Sequence, residues 1–531
     1  MRGYKQVSTE YLDGAVGLLP WLNRRRKGVI GAAFALLTLI LLAHSNRDAI
    51  VHTSSPYING GGGKVRPGTT TLPSANLHLL IPADHSDVNL CKTMLSAAVA
   101  GFPTPTLINW GATFDNKELV AGGSHIAKIS GVLEYLHTLG PERDDDLVLL
   151  VDGYDIWFQL RPSTLIARFH AINKAANARI EKEMGSKAFR QNRIEQNIVF
   201  SAQKRCWPWK PEDPPCYAVP QSSLPEDIYG PQTDTDIGFD KNPYVKFRQR
   251  YLNSGDAMGR VGAMKALFTR AMAKAEKDPN FGSDQKIFSE IFGDQEFQRE
   301  VMRLRSRSYL QRVKDFASGR TSIVDDDGKR KLREHKAGRQ DEFGVGLDYA
   351  SLLGHPTVFA EEDAAWLQHA DSLAVARASS DANIVDPPIR VSTLAPDILS
   401  SQPPFRPAVL PQNTTRLPSD KSWPDIPLYT NLWTAVVPAL IHHNAHRDGL
   451  KKLRWTWWDR TWFFEHARTL YTANAAGPVG PVAVVRDEVS GVEQAWWSPI
   501  ADKGGAKTDK GEWLGWDEVC KEFEGEVFRE G

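Results

Sequence analysis

The sequence predicts an α/β fold of Rossmann-like type, with a mostly parallel sheet flanked by helices. Three observations carry that expectation. Short, almost wholly apolar runs at residues 77–81 (LHLLI) and 147–151 (LVLLV) read as strands buried on both faces. Longer stretches with apolar residues at helical spacing lie between such runs, at residues 88–101 and 124–139. Strands and helices alternating at these lengths build βαβ units and hence parallel pairing.

Taken in order, the chain opens on a topology signal. Arg24, Arg25, Arg26 and Lys27 precede an uncharged run at residues 28–43 (GVIGAAFALLTLILLA). As a helix this run is roughly 24 Å long, slightly short of a bilayer core, and snorkelling basic side chains make up the difference. Basic residues on the N-terminal side place that side in the cytosol. The reading is a cytosolic tail (1–27), a transmembrane signal-anchor (28–44) and a lumenal remainder. That is a single-pass type II protein of the Golgi or endoplasmic reticulum membrane. A signal peptide cleaved near Ala43-His44-Ser45 is the competing reading. Residues 45–75, rich in Gly, Ser, Thr and Pro, read as a flexible stem.

The predicted α/β core spans residues 76–315. Its first strand (77–81) and helix (88–101) are followed by a strand at 106–110 and a helix at 124–139, and the next strand runs into Asp152. A helix starts at Pro162-Ser163-Thr164, and residues 197–202 (NIVFSA) read as another buried strand. Residues 251–256 lead into a helix over about 262–277, and an acidic-headed helix follows at 281–292. Residues 316–428 read as charged and Pro-rich insertions: 316–344 is dense in charge, and 376–427 is expected to be extended or partly disordered. Order resumes at 432–441, and 429–531 reads as the C-terminal part of the catalytic domain with a Trp-rich tail. Trp455, Trp457, Trp458 and Trp462 read first as core, with a carbohydrate-stacking platform as the alternative.

Lys+Arg and Asp+Glu number 64 each, so the charge balance gives no sign of a nucleic-acid partner. Cys206 and Cys216 bracket a short Pro- and Trp-rich loop that a disulfide can staple, in keeping with a lumenal setting. No CxxC spacing is present, which argues against a zinc site. Asn413-Thr414-Thr415 is a glycosylation sequon if that stretch is lumenal.

The chemistry concentrates at Asp152-Gly153-Tyr154-Asp155, where an apolar strand ends in two carboxylates. Ligands collect beyond the carboxyl ends of strands in open α/β sheets, and two hard oxygen ligands suit Mg²⁺ or Mn²⁺ holding a diphosphate. An ordinary strand-to-turn junction is the plainer reading, since Asp-Gly is a common turn dipeptide. Further on, His442, His443, Asn444 and Lys451 follow an apolar run, and Lys128 lies on the helix before the acidic strand. Carboxylates, a histidine and lysines together are what a nucleotide-sugar transferase needs to neutralise a departing diphosphate.

These segments, in this order, resemble the GT-A glycosyltransferase domain of procollagen lysyl hydroxylases and related collagen glycosyltransferases. Asp152-Gly153-Tyr154-Asp155 matches the family's Asp-x-Tyr-Asp motif, and Tyr251 to Gly255 matches its Tyr-Leu-Asn-Ser-Gly segment. Ser283-Asp284-Gln285 stands for an Asp-Asp-Gln segment, His442-His443-Asn444 with Lys451 for a late His-Gly-Asn segment and its lysine, and Gly122, Gly123 and Lys128 for an early Gly-Gly-x-x-x-x-Lys stretch. The match covers roughly residues 76–300 and 430–452. It implies a GT-A fold and a UDP-sugar donor with Mn²⁺ (or Mg²⁺) as cofactor. It also implies that Asp152, Asp155 and His442 hold the metal, with His443 the competitor, and that Tyr154 stacks on uracil. Ala83, Lys128, Asn253, Gly255 and Lys451 complete the implied donor-binding set. Asp256 stands where the family has Gly, and Ser283 replaces the first Asp of its pair. Nothing resembles the iron-dependent hydroxylase portion.

The expectation is therefore a lumenal hexosyltransferase acting on a protein or glycan hydroxyl. It retains or inverts the anomeric carbon; an inverting enzyme needs a base, for which Asp284 and Asp256 are the candidates. A catalytically silent binding protein of the same fold and a nucleotidyltransferase or phosphohydrolase are the alternatives.

Overall fold

The computed structural model describes residues 72–277, 282–310, 341–384, 394–407, 417–486 and 491–528, with positions 313 and 317. The expected tail, signal-anchor and almost all of the stem lie outside the described residues, as does Asn413. Among the described residues no helix is long and apolar enough to cross a membrane.

In chain order, β1 (Ser74–Pro82) leads to α1 (Val88–Ala100), β2 (Thr106–Ile108), α2 (Ser124–Thr138) and β3 (Leu147–Val151). Then come β4 (Ile156–Phe158), α3 (Pro162–Met184), β5 (Ile198–Gln203), β6 (Tyr251–Arg260), α4 (Val261–Lys277) and α5 (Asp284–Ser306). The second half contributes β7 (Val345–Asp348), β8 (Gly354–Pro356), β9 (Ala364–Gln368), β10 (Pro427–Asn431) and β11 (Leu440–His442). Near the C-terminus lie α6 (Ala467–Ala475), β12 (Ala483–Arg486), β13 (Glu493–Trp497), β14 (Gly505–Thr508), β15 (Trp513–Gly515) and α7 (Trp516–Cys520).

The central sheet has ten strands in the order β15-β14-β2-β1-β3-β6-β5-β7, with β13 joined to β1 and β12 to β13. β1 is parallel to β2, β3 and β13, as are β14 to β2 and β5 to β7. The expected mostly parallel α/β sheet is therefore present. Both faces are covered at its centre, which is why β3 and β5 are buried along their whole length. Leu77, Leu79 and Ile81 of β1 and Leu149 of β3 pack with α1 and C-terminal elements, whereas Leu80, Val148 and Leu150 pack with α2, α4 and α5.

Two features aim the chain at one place. β6 runs antiparallel between β3 and β5, so its first half lies beside the carboxyl end of β3, with Val151 opposite Asp256. Asp152 N–H continues the ladder by donating to Gly255 O at 2.8 Å. Separately, β4, β11 and β8 form a small sheet in which His442 pairs with Ile156. That register sets His442 beside Asp155 despite the distance in sequence.

One expectation needs correcting. The Pro-rich stretch expected to be loose is pinned where it is described. Arg161, 8% exposed, donates to the carbonyls of Val99, Gln402, Pro403 and Pro404, and Phe405 and Trp423 are buried in the main core. Of the tail tryptophans, read first as core, two take that role. Trp458 and Trp462 are buried and donate to Val527 O and Gln159 O, while Trp455 is exposed.

Candidate metal centre and its cleft

Asp152, Asp155 and His442 each offer a ligand atom, and these atoms lie within 4.8 Å of one another. Asp152 and Asp155 leave β3 through a turn that requires Gly153, because a Cβ there would strike the carbonyl of Pro82. His442 Nε2 lies 3.6 Å from Asp155 Oδ1 and 3.9 Å from Asp152 Oδ2. Gly255 is the floor under that ring: a Cβ at this position would collide with the imidazole.

The histidine doublet resolves through strand alternation. His443 faces the opposite way, its ring 4.0 Å from that of Trp157, and neither ring nitrogen has a hydrogen-bond partner among the described residues. Burial drives its pKa down to about 3, so it is a neutral core side chain. It holds the site only through its backbone, whose N–H donates to Asp155 O at 2.7 Å.

Asn253 fixes which nitrogen of His442 carries the proton. Its Nδ2 donates to Gln203 Oε1 at 2.8 Å, and its Oδ1 accepts from Gly255 N–H at 3.1 Å. That same oxygen lies 3.0 Å from His442 Nδ1, which must therefore donate. The lone pair of Nε2 then points at two carboxylates. Burial lowers the pKa of His442, against the pull of Asp155 and Asp152, so the ring stays neutral. A neutral nitrogen lone pair facing two anionic oxygens is a repulsive arrangement that a cation relieves. The donor set fits a divalent metal ion on that ground.

The carboxylates themselves differ. Burial pushes Asp152 upward, against the charge of Lys128, and the neighbouring Asp155 and Asp284 push it the same way. Burial acts on Asp155 too, but attraction to His442 whenever that ring is protonated, together with the charges of Lys451 and Arg454, outweighs it and holds this carboxyl below the usual range. Lys451 Nζ lies 3.3 Å from Asp155 Oδ2, with its side chain about half exposed.

A cleft of about 420 Å³ opens in front of these groups. Of the residues predicted from sequence, Ala83, Lys128, Asp152, Tyr154, Asp155, Asp284 and Lys451 all line it. His442 completes the ligand cluster without lining the cleft, and Asn253 and Gly255 pack against its ring. Lys128 is buried and fully engaged, donating to Asp152 Oδ1 at 2.6 Å, Asp284 Oδ2 at 2.9 Å and Ser254 O at 3.0 Å. Its ammonium is a strut between two carboxylates rather than a free phosphate ligand. The Tyr154 hydroxyl donates to Asp84 Oδ1 at 2.6 Å, and its ring lies 5.3 Å from that of His85.

Asp256 does not reach the cleft. It is 3% exposed, and both of its oxygens lie 2.7 Å from Ser201 Oγ. Burial raises its pKa to about 7. Enclosed in this way it has no face for an acceptor, so the base expected there is not available.

Several cleft residues escaped the sequence reading. His125 and Arg454 each had a readable signal, because each stands three residues from a lysine already singled out, Lys128 and Lys451. Asp84 and His85 follow β1 with no motif to mark them. No protein-family model matches this chain, and no curated protein matches it.

Proposed function

We propose that the chain is a metal-dependent glycosyltransferase that moves a hexose from a UDP-sugar to a hydroxyl of a protein or glycan acceptor. One observation carries the reading. Asp152, Asp155 and His442 converge at a cleft that also presents Lys451, Arg454 and the ring of Tyr154. Asp152, Asp155 and His442 would hold Mn²⁺ or Mg²⁺, which when bound offsets the charge of a departing diphosphate. The side chains supply the rest. Lys451 offers a half-exposed ammonium beside Asp155, suited to a phosphate oxygen. Arg454 braces the turn by donating to Tyr154 O at 2.6 Å and lines the same wall. Tyr154, its hydroxyl tied to Asp84, presents a fixed ring on which a base can stack. The cleft volume lies within the range of small-molecule sites.

The reading includes the anchor at residues 28–44 and a lumenal catalytic domain in the secretory pathway. Two disulfides, Cys91–Cys520 and Cys206–Cys216, support an oxidising compartment. Calorimetric titration with UDP, with and without Mn²⁺, tests the proposal, alongside UDP release from UDP-glucose and UDP-galactose. Binding of UDP is expected to require the metal, and Asp155→Ala is expected to abolish both binding and release. Wild-type protein that binds no UDP in the presence of Mn²⁺ overturns the reading.

A further inference from the structure

The cleft holds a second charged cluster beside the metal ligands. Asp284 heads α5 and is 4% exposed. Its Oδ1 lies 3.1 Å from His125 Nδ1, and its Oδ2 accepts from Lys128 Nζ. Burial pushes its pKa upward, but Lys128 and His125 outweigh that and hold the carboxyl well below its ordinary range. A carboxylate so engaged does not take a proton from a hydroxyl. It can orient a ring that does. With Nδ1–H donated to Asp284, the lone pair of His125 lies on Nε2. His125 lines the cleft with its side chain 42% exposed, and Nε2 has no partner among the described residues. Lys128 links the pair to Asp152, so the imidazole faces the cleft of the metal ligands without touching them.

We propose that His125 is the general base of the transfer, oriented by Asp284, and that the reaction therefore inverts the anomeric configuration. This rests on the glycosyltransferase reading. In the step, the acceptor oxygen bonds to the anomeric carbon as the bond from that carbon to the diphosphate oxygen breaks. The diphosphate leaves with the electron pair. The acceptor's proton passes to His125 Nε2 and from its exposed edge to solvent. The hydrogen bond that His125 Nδ1–H donates to Asp284 raises the basicity of the ring, and the charge of Asp152 adds to it. Burial, Lys128 and the N-terminal end of α2 oppose it. Asp284 is then a positioning residue.

Wild type, His125→Gln and Asp284→Asn are compared with UDP-glucose and UDP-galactose, Mn²⁺, and water or glycerol as the acceptor. From these α-linked donors the wild type is expected to give a β-configured product, read by proton NMR before mutarotation. His125→Gln is expected to lose roughly 100-fold or more in kcat, with donor KM and UDP affinity unchanged. Its rate loses the rise with pH that the wild type shows, and Asp284→Asn moves that rise to lower pH. An α-configured product, or His125→Gln turning over like wild type, removes the base and leaves the glycosyltransferase reading standing. Absence of UDP release from the wild type removes that reading and this proposal with it. The product configuration is read on unaltered protein, so it does not depend on how the variants fold.

Discussion

The lone pair of His442 faces Asp152 and Asp155 only because Asn253 accepts the proton of the other ring nitrogen. Partners of this kind set ligand orientation, and their loss typically weakens metal binding by about 10–100-fold. Asn253→Leu is expected to weaken Mn²⁺ binding by that factor in calorimetry, and ¹⁵N shifts of the metal-free protein should show the tautomer no longer fixed. Equal Mn²⁺ affinity in the two proteins would assign Asn253 to the donor pocket instead. Asp256 supports a prediction of a different kind. Its carboxyl is raised by burial from 3.8 to about 7, and that of Asp348 to about 6. Below the unfolded value both states hold the proton and the contribution to stability is complete. As pH climbs through the folded value, the unfolded chain has already released its proton and that contribution is lost. Asp256→Asn stays neutral and keeps an oxygen for Ser201. Its stability relative to wild type should therefore grow between pH 4 and pH 8, by on the order of 2–4 kcal/mol. Urea midpoints across that range check it, and a difference independent of pH rules it out.

At the scale of elements, the site depends on β4 pairing with β11 and on β6 lying antiparallel beside β3. The acidic end of β3 was legible because an apolar run and two carboxylates are both local. The histidine register was not: alternation says that His442 and His443 face opposite sides, and only the pairing with β4 says which side faces Asp155. Lys128 was legible as a cleft residue but not as a strut, since its partners Asp152 and Asp284 come from other elements. The Pro-rich insertion shows the same limit. Its composition suggests a loose chain, yet the guanidinium of Arg161, between β4 and α3, collects three of its carbonyls and one from α1. Burial lowers the pKa of Arg161 to about 10, which leaves it cationic at neutral pH. Arg161→Leu strips every one of these donors. The expected cost is about 2–4 kcal/mol in denaturant unfolding, together with chymotryptic cleavage after Phe405, which is now 3% exposed. Unchanged resistance at Phe405 would mean that packing of Phe405 and Trp423, not Arg161, holds the segment.

Over the whole molecule, the last described residues return to the first. β13 pairs with β1, β14 with β2, and Cys520 of α7 is joined to Cys91 of α1 across 429 residues. The sequence suggested the short Cys206–Cys216 bridge from its spacing, and that bridge is present. Nothing local marks Cys91 and Cys520 as neighbours, because the strands that bring them together pair only in the finished sheet. Both cysteines are fully buried, so the bond should resist reductants in the native state. α1 is also the helix behind the site: Thr93 Oγ1 donates to Ile156 O at 2.8 Å, and Ser96 Oγ accepts from Phe158 N–H at 3.1 Å. Those bonds belong to α1 and β4 alone and do not require the bridge. Cys520→Ser is therefore expected to lower stability by about 2–5 kcal/mol, as release of a long loop predicts, while Mn²⁺ affinity of the folded protein changes less than about twofold. Thermal unfolding and metal titration of the same sample separate the two effects. Equal melting temperatures would show that the edge strands, not the disulfide, close the molecule, and a parallel loss of metal affinity would show that α1 shifts against β4 when the bridge is gone.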